Sequence, residues 1–170
     1  IMFRDVFANE LETSMGSMGF LRTRSVDSMI DEIKYINRTH EVKVINYVDD
    51  LFGIKKSRLL EFCERFKKEI PSHIGFSVQT HFNYMDEEAI FALRDARCVR
   101  VQAAVESGSQ RVLDLYKRPF KLEKLRDRLK IMSKAAFPLG TWTQNLIGAP
   151  LETVEEMKAT LAINAENMIE

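Results

Sequence analysis

Cysteine, net charge and long apolar runs are all scarce in this sequence. The two cysteines, Cys63 and Cys98, lie far apart and lack the spacing of a metal site, so we expect buried free thiols in a reducing, cytoplasmic setting. Lys+Arg and Asp+Glu both number 25, and this balance gives nucleic acid or an anionic membrane no electrostatic attraction. No apolar run approaches the roughly 18 residues that span a bilayer, and no secretory signal opens the chain.

Several sequence motifs of well-known enzyme classes are missing too. The sequence has no phosphate-binding P-loop, no GxGxxG after a strand and no GxSxG nucleophile turn. Its three histidines, His40, His73 and His81, share no metal-ligand spacing. We expect each of them to be a hydrogen-bonded surface or loop residue.

The sequence does contain a regular alternation of strand-like and helix-like segments. Short apolar runs predict strands at 42–48, 75–78, 99–105 and 141–147. Amphipathic periodicity predicts six helices. One begins after Ser25 and one ends at Tyr116, and the other four cover 56–69, 86–97, 122–136 and 153–167. This order predicts parallel strands with helical crossovers, in an α/β barrel or a doubly wound sheet.

The length favours part of a barrel. A complete (β/α)₈ barrel needs about 250 residues, whereas this sequence has 170. We therefore predict an α/β fold, a partial (β/α) TIM-like barrel of about four to five β–α units. Residues 22–170 form this predicted domain, and residues 1–21 form a lead-in that the pattern does not define. Phe76, Phe91 and Trp142 are predicted core residues.

Polar side chains follow each predicted strand. The carboxyl ends of parallel strands carry the site in such folds. Any one of these residues can simply cap a helix or form a turn. Together they indicate a polar ligand with hydroxyl, amino and carboxylate groups. They are Asp49 and Asp50, then Gln79, Thr80 and His81, then Glu106, Ser107, Gly108 and Ser109, then Gln144, Asn145 and residues 148–152.

Five segments, taken in order, resemble the radical S-adenosylmethionine (SAM) superfamily. They are residues 22–27 (RTRSVD), 44–52 (VINYVDDLF), 76–98 (FSVQTHFNYMDEEAIFALRDARC), 101–118 (VQAAVESGSQRVLDLYKR) and 145–157 (NLIGAPLETVEEM). The sequence is most similar to the branch whose members often carry a cobalamin-binding domain ahead of the barrel. The resemblance extends from Arg22 to the C-terminus. It implies SAM as a ligand, a 4Fe–4S cluster and, in this branch, cobalamin.

The resemblance also implies roles for the polar residues at the carboxyl ends of the first three strands, which form the rim of the barrel. Asp49 and Asp50 stand where relatives approach the amino group of the SAM methionine, and a carboxylate suits an ammonium group. Gln79 corresponds to a polar residue of the SAM pocket. Glu106 corresponds to the residue that binds the ribose hydroxyls, and Ser107 follows it in the same cofactor-binding motif.

Three further positions complete the implied SAM pocket. Arg118 corresponds to a basic residue that binds the methionine carboxylate, a task suited to the planar guanidinium. Gln144 and Gly148, in the turn that ends at Pro150, correspond to the segment beside the adenosine, where a small residue allows close approach. Glu152 fits better as an acidic residue favoured by the helix that follows. The sequence assigns no catalytic residue.

The cluster motif of the family is missing. Relatives bind the cluster through three cysteines in a CxxxCxxC loop just ahead of Arg22, and residues 3–9 (FRDVFAN) contain none. The chain can be a piece of a longer protein, a paralogue that lost its cysteines, or a sequence whose first residues are unrelated. We expect a piece of a longer protein. Such a piece needs the remainder of the barrel or an accessory domain for stability.

Three functions follow, in decreasing order of support. The first is the SAM-binding core of an enzyme that cleaves SAM reductively to a 5′-deoxyadenosyl radical and acts on a small-molecule substrate. The alternative is a non-catalytic or degenerate barrel module that binds a nucleoside-like ligand or a protein partner. The third and weakest is acid–base chemistry on Asp49, Asp50 and Glu106 in another kind of barrel enzyme.

Overall fold

The computed structural model describes residues 23–49, 51–118 and 120–167. The predicted lead-in, Asp50 and Pro119 lie outside these residues. The described elements are α1 (Val26–Thr39), β1 (Val44–Asn46), α2 (Lys56–Glu69), β2 (Gly75–Thr80), a 3₁₀ turn (Phe82–Tyr84), α3 (Glu87–Asp95), β3 (Cys98–Glu106), α4 (Gln110–Leu115), α5 (Leu122–Ala135), β4 (Thr141–Asn145) and α6 (Val154–Ala165). No helix within the described ranges is long and apolar enough to cross a membrane.

The four strands form one parallel sheet in the order β1-β2-β3-β4. A doubly wound sheet reverses its strand order at a switch point, and this sheet does not. Because parallel crossovers are right-handed in nearly all proteins, a strand order without reversal places the connecting helices on one face. The prediction of a partial (β/α) barrel is therefore confirmed.

The helix-covered face of the sheet is packed with apolar side chains. Phe62 and Phe66 of α2 contact Phe76 of β2, with ring centroids 5.3 and 4.6 Å apart. Tyr47 and Phe52, both after the end of β1, join the same aromatic group. Each fully buried phenylalanine contributes about 1.5–3 kcal/mol through the hydrophobic effect, so this cluster anchors β1 and β2 to α2.

Side-chain caps fix the helix starts that the sequence predicts. Ser25 accepts the backbone N–H of Ser28, and Asp86 accepts that of Ala89. Thr153 forms a reciprocal capping box with Glu156. The first and last strands are shorter than predicted, although the N–H of Tyr47 still bonds to β2 after β1 ends.

The opposite, inner face of the sheet is polar. Alternation along β3 turns Gln102 and Ala104 to this face, while Val101 and Ala103 are buried beneath the helices. Trp142 of β4 has 54% of its surface exposed. Its prediction as a core residue is wrong, because its strand position turns it to the inner face. Phe76 is buried as predicted, and Phe91 packs against the core while partly exposed.

Candidate functional site

Glu106 and Arg118 form an ion pair at the carboxyl end of β3. Nη2 of Arg118 lies 3.1 Å from Oε1 of Glu106, and the two side chains are 41% and 15% exposed. The structure thus brings together two residues that stand twelve positions apart in the sequence. Glu106 has a φ of +64°, a left-handed conformation that costs a non-glycine residue of order 1 kcal/mol. Strain of this kind is concentrated at functional sites.

The end of α4 places Arg118 beside Glu106. The N–H of Arg118 bonds to the carbonyl of Leu113 at 2.8 Å, and the N–H of Lys117 bonds to that of Asp114 at 3.0 Å. Lys117 is left-handed, with a φ of +53°. These bonds form a Schellman motif, with a lysine where glycine is usual, and they direct the chain back towards the end of β3.

His81, which the sequence predicts to be a hydrogen-bonded surface or loop residue, lies near this pair. Burial, and then the positive charge of Arg118, lower the pKa of His81. Its Nδ1 accepts the N–H of Asn83 at 3.1 Å, and its ring lies 5.0 Å from that of Phe120. His81 therefore packs against Phe120, in surroundings that favour its neutral form.

Amide side chains occupy the inner face next to the ion pair. Gln79 of β2 is the register partner of Gln102 of β3, and Gln144 of β4 is the partner of Ala104. Gln79 is half-buried and Gln144 is exposed. The two predicted amides thus flank β3 on either side, on neighbouring strands of the sheet.

Ser107 and Gly108 fix the turn after β3. Ser107 is buried, with its hydroxyl 3.3 Å from that of Thr160. The N–H of Gly108 donates to the same threonine oxygen at 2.8 Å. A Cβ at Gly108 would lie 2.3 Å from the carbonyl oxygen of Ala159, so only glycine allows α6 to approach this closely. The predicted role of Ser107 in cofactor binding stays a prediction.

Glu156 joins the turns that follow β3 and β4. Its carboxylate accepts Nε and Nη2 of Arg111 at 2.8 and 2.6 Å. It also accepts the hydroxyl of Ser109 at 2.8 Å and the N–H of Thr153 at 2.9 Å. Arg111, then Thr153 and Ser109, hold the pKa of Glu156 well below its usual range. Sequence reasoning missed this residue, although the Thr153-x-x-Glu156 spacing is a visible capping-box signal.

The turn after β4 is closed by its own carboxylate. Oε2 of Glu152 accepts the N–H groups of Gly148 and Ala149 at 2.7 and 3.1 Å. Gly148 has a φ of +80°, which glycine adopts without strain. The prediction that Glu152 serves the first turn of α6 is wrong, because its carboxylate bonds to the preceding turn. Gly148 can offer a ligand close approach, but its N–H is already paired.

Asp49 lies in a cleft between α1 and α2. This cleft of about 160 Å³ is also lined by Arg24, Tyr47 and Arg58. Burial, and then the charge of Glu32, raise the pKa of Tyr47. The structure therefore places Asp49 apart from the Glu106–Arg118 pair. Asp50 lies outside the described residues.

A model of the radical SAM superfamily matches residues 9–162. This match covers most of the 170 residues. The chain belongs to the radical SAM superfamily.

Curated relatives share between a fifth and a third of the aligned residues with this chain. The uncharacterized methyltransferase PH0819 of Pyrococcus horikoshii is 29% identical over 82% of this chain and 30% of its own length. Cytidylyl-2-hydroxyethylphosphonate methyltransferase of Streptomyces wedmorensis is 30% identical over 82% of this chain and 27% of its own length. This chain thus spans under a third of the length of either relative.

Solved structures of radical SAM enzymes share the fold. The cobalamin-dependent S-adenosylmethionine radical enzyme OxsB, with aqua-cobalamin bound, superposes with a TM-score of 0.72 at 18% identity, over 84% of this chain and 22% of its own. The methyltransferase TsrM from Kitasatospora setae, with cobalamin and a [4Fe-4S] cluster bound, gives a TM-score of 0.72 at 15% identity. The match covers 85% of this chain and 29% of the TsrM chain. At these identities the likeness concerns the fold.

The two cysteines of this radical SAM chain are part of its core. Cys63 and Cys98 are free and buried. Burial raises the pKa of the Cys63 thiol to about 12 and also raises that of Cys98. Metal ligation needs a thiolate, so these residues do not fit a cluster. Throughout 23–49, 51–118 and 120–167, no group of three or more His, Cys, Asp and Glu side chains could hold a metal ion.

Proposed function

We propose that this chain forms the SAM-binding core of a radical SAM enzyme. The observation that carries this proposal is the Glu106–Arg118 ion pair at the carboxyl end of β3. Arg118 uses Nη2 in the pair, and a guanidinium has five N–H donors, so it has room for a carboxylate in a bidentate contact. Glu106 has a second oxygen that can accept hydroxyl groups. The two side chains match the carboxylate and the ribose hydroxyls of SAM.

The surrounding residues suit the rest of the ligand. Gln79 and Gln144 offer amide donors and acceptors on the strands that flank β3. The Gly148 turn allows close approach by a flat ring, because a Cβ there would meet no atom within 4 Å. Asp49 suits an ammonium group, and this assignment requires the ligand to reach the cleft beside Tyr47.

SAM and a 4Fe–4S cluster, when bound, supply reductive cleavage of SAM to a 5′-deoxyadenosyl radical, as this superfamily's chemistry implies. Because Cys63 and Cys98 do not fit the cluster, we assign this chain no part in holding it. Its own residues bind and orient SAM. Cobalamin is a further proposed cofactor, supported by the resemblance to the cobalamin-binding branch.

The partners we propose are a small-molecule substrate and the remainder of the barrel or an accessory domain. In the described part of the chain, β1 pairs with β2 alone and β4 with β3 alone. Each outer edge therefore presents unpaired backbone groups, which favour pairing with a further strand. We propose no nucleic acid or membrane partner, in keeping with the zero net charge.

Equilibrium dialysis with labelled SAM, on the intact polypeptide that carries these residues, tests the proposal. We expect Arg118→Ala and Glu106→Ala each to weaken SAM binding by about tenfold or more, because each removes a charge-assisted contact. Arg126→Ala is a matched control, because Arg126 pairs with Glu166 on the surface. Wild-type affinity in both test variants would contradict the proposal.

The second candidate is a barrel module without radical chemistry. Iron and sulfide analysis of the anaerobically reconstituted intact polypeptide distinguishes the two, together with EPR spectra with and without SAM. About four irons and an EPR signal that SAM shifts would support the enzyme. A folded protein that binds SAM but no iron would support the module.

A further inference from the structure

The inner face of the sheet carries a cation that the proposed SAM contacts do not use. Cζ of Arg100 lies 4.2 Å from the centroid of the Trp142 ring. Arg100 precedes Glu106 by six residues, roughly 20 Å along an extended strand. The pair is therefore separate from the ion pair at the rim.

A β-bulge turns Arg100 to this face. Phe76 pairs with Cys98, but the next residue of β2, Ser77, pairs with Arg100, so Val99 is an extra residue. Cys98 is buried beneath the helices, and simple alternation would place Arg100 there as well. Bulges of this kind redirect side chains and are frequent beside active sites.

Arg100 has no anionic partner in the part of the chain that the structure describes. None of the ion pairs there includes it. Its guanidinium lies over an indole ring, a cation–π contact that orients the group. A guanidinium has five N–H donors, so Arg100 can donate hydrogen bonds while its Cζ lies over the ring.

The surroundings of Arg100 are unlike those of an ordinary barrel interior, which branched apolar side chains fill. Ser77 lies opposite Arg100 and donates to Asn46. Gln102 follows on the same face and is paired with Trp142. Below Glu106, the inner positions of the described strands carry amide, hydroxyl and guanidinium groups beside apolar ones such as Ala104 and Trp142, and no carboxylate. The chemistry of this face is complementary to an anion.

We infer that Arg100, held by Trp142, binds an oxyanion, a carboxylate or phosphate group of a small molecule, on the inner face of the sheet. The planar guanidinium forms two parallel hydrogen bonds to such a group. Gln102, on the same face, supplies a neutral amide donor beside it, whereas the Ser77 hydroxyl already donates to Asn46. If the proposed function holds, this anion belongs to the enzyme's substrate, but the site itself does not depend on SAM.

Arginine labelling of the wild-type intact polypeptide tests the site without a variant. Phenylglyoxal modification at Arg100 is followed by peptide mass spectrometry, alone, with inorganic phosphate and with acetate. Arg94 is the control, because it also lies over an aromatic ring, that of Phe91, but pairs with Asp95 on the surface. We expect one anion to slow labelling of Arg100 by about fivefold or more, as a bidentate contact covers its N–H edge, with little change at Arg94.

The two probes distinguish the anion, since stronger protection by phosphate indicates a phosphorylated ligand and stronger protection by acetate a carboxylate. Trp142→Ala should reduce the protection, because Arg100 loses the ring that orients it. Equal labelling with and without both anions would overturn the inference. So would an Arg100 that does not react before any anion is added, because a carboxylate of the protein would then cover it. Labelling of Arg118 with and without SAM, in the same samples, reports separately on the proposed function.

Discussion

Two arginines, one at each end of the parallel sheet, show how the same side chain can serve structure or binding. Arg97 precedes β3 and donates to the carbonyl oxygens of Phe66, Ile70 and Ile74 at 2.9–3.1 Å. These carbonyls include the last ones of α2, so Arg97 caps that helix from another element. Arg118, at the other end, forms one ion pair and is 41% exposed.

The difference lies in how much hydrogen-bonding capacity each arginine keeps. The guanidinium of Arg97 bonds to the backbone and also lies 5.2 Å from the Phe66 ring, so it has little capacity left for a ligand. Arg118 keeps most of its donors. An arginine whose N–H donors are all used within the protein thus stabilises the fold. An arginine with free donors beside the end of a strand is a candidate for ligand binding. Arg97 and Glu106 are also both left-handed, with φ of +69° and +64°, so glycine at either position relieves the same backbone strain.

Arg97→Gly should give the largest effect. Glycine relieves the left-handed strain, but the substitution removes the side-chain donor to the carbonyls of Ile70 and Ile74. We expect the free energy of unfolding to fall by about 2 kcal/mol, measured by urea denaturation. Arg94→Gly is unsuitable as a control because Arg94 lies within α3. Arg94→Ala is the better one, and it should change stability by less than about 0.5 kcal/mol. The folded Arg97→Gly variant should bind SAM as the wild type does. If its SAM affinity fell as far as that of Arg118→Ala, the contrast between the two ends of the sheet would be lost.

Glu106→Gly should separate stability from binding. The ion pair with a partly exposed arginine is worth about 0–1 kcal/mol, and relief of the strain offsets its loss. We expect the free energy of unfolding to stay within about 0.5 kcal/mol of wild type, whereas SAM affinity falls about tenfold or more. A loss of stability as large as that in Arg97→Gly would mean that Glu106 is as structural as Arg97.

The sequence predicts the alternation of strands and helices well, because local signals determine it. The helix predicted to begin after Ser25 does so, and helices lie within the predicted ranges 86–97 and 153–167. The orientation of side chains is harder to predict. The residues around Val99 have the composition of a regular strand, so the bulge that turns Arg100 inward cannot be recognised without its partner strand.

The candidate site shows the same limit. Twelve residues separate Glu106 from Arg118, and the family resemblance, rather than any local pattern, links them in the sequence. Asp49 follows β1 as predicted but lines the cleft beside Tyr47, because the chain after the strand, and not the strand itself, positions it. Ser107 contacts Thr160, 53 residues later, and no local signal reveals a contact at that separation.

The smallest predicted effect concerns acid stability at the Arg97 end of the sheet. Arg65, and then Lys34, lower the pKa of Glu69, the last residue of α2, from 4.5 to about 2. A carboxyl whose pKa is lower in the folded state stabilises the fold above its unfolded pKa, and this contribution is lost as the pH falls from about 4.5 towards 2. We expect Glu69→Gln to be less stable than wild type at pH 7 and to depend less steeply on pH in that window.

Urea denaturation at a series of pH values measures this difference, with Glu166→Gln as the control because Glu166 forms an exposed pair with Arg126. The two curves should converge as the pH falls, since protonation of Glu69 in the wild type abolishes the charge that the variant lacks. Parallel curves would show that the Lys34 and Arg65 contacts do not stabilise the fold through the charge of Glu69. SAM binding should be the same in both proteins at pH 7, because Glu69 lies at the end of the sheet opposite to Glu106 and Arg118.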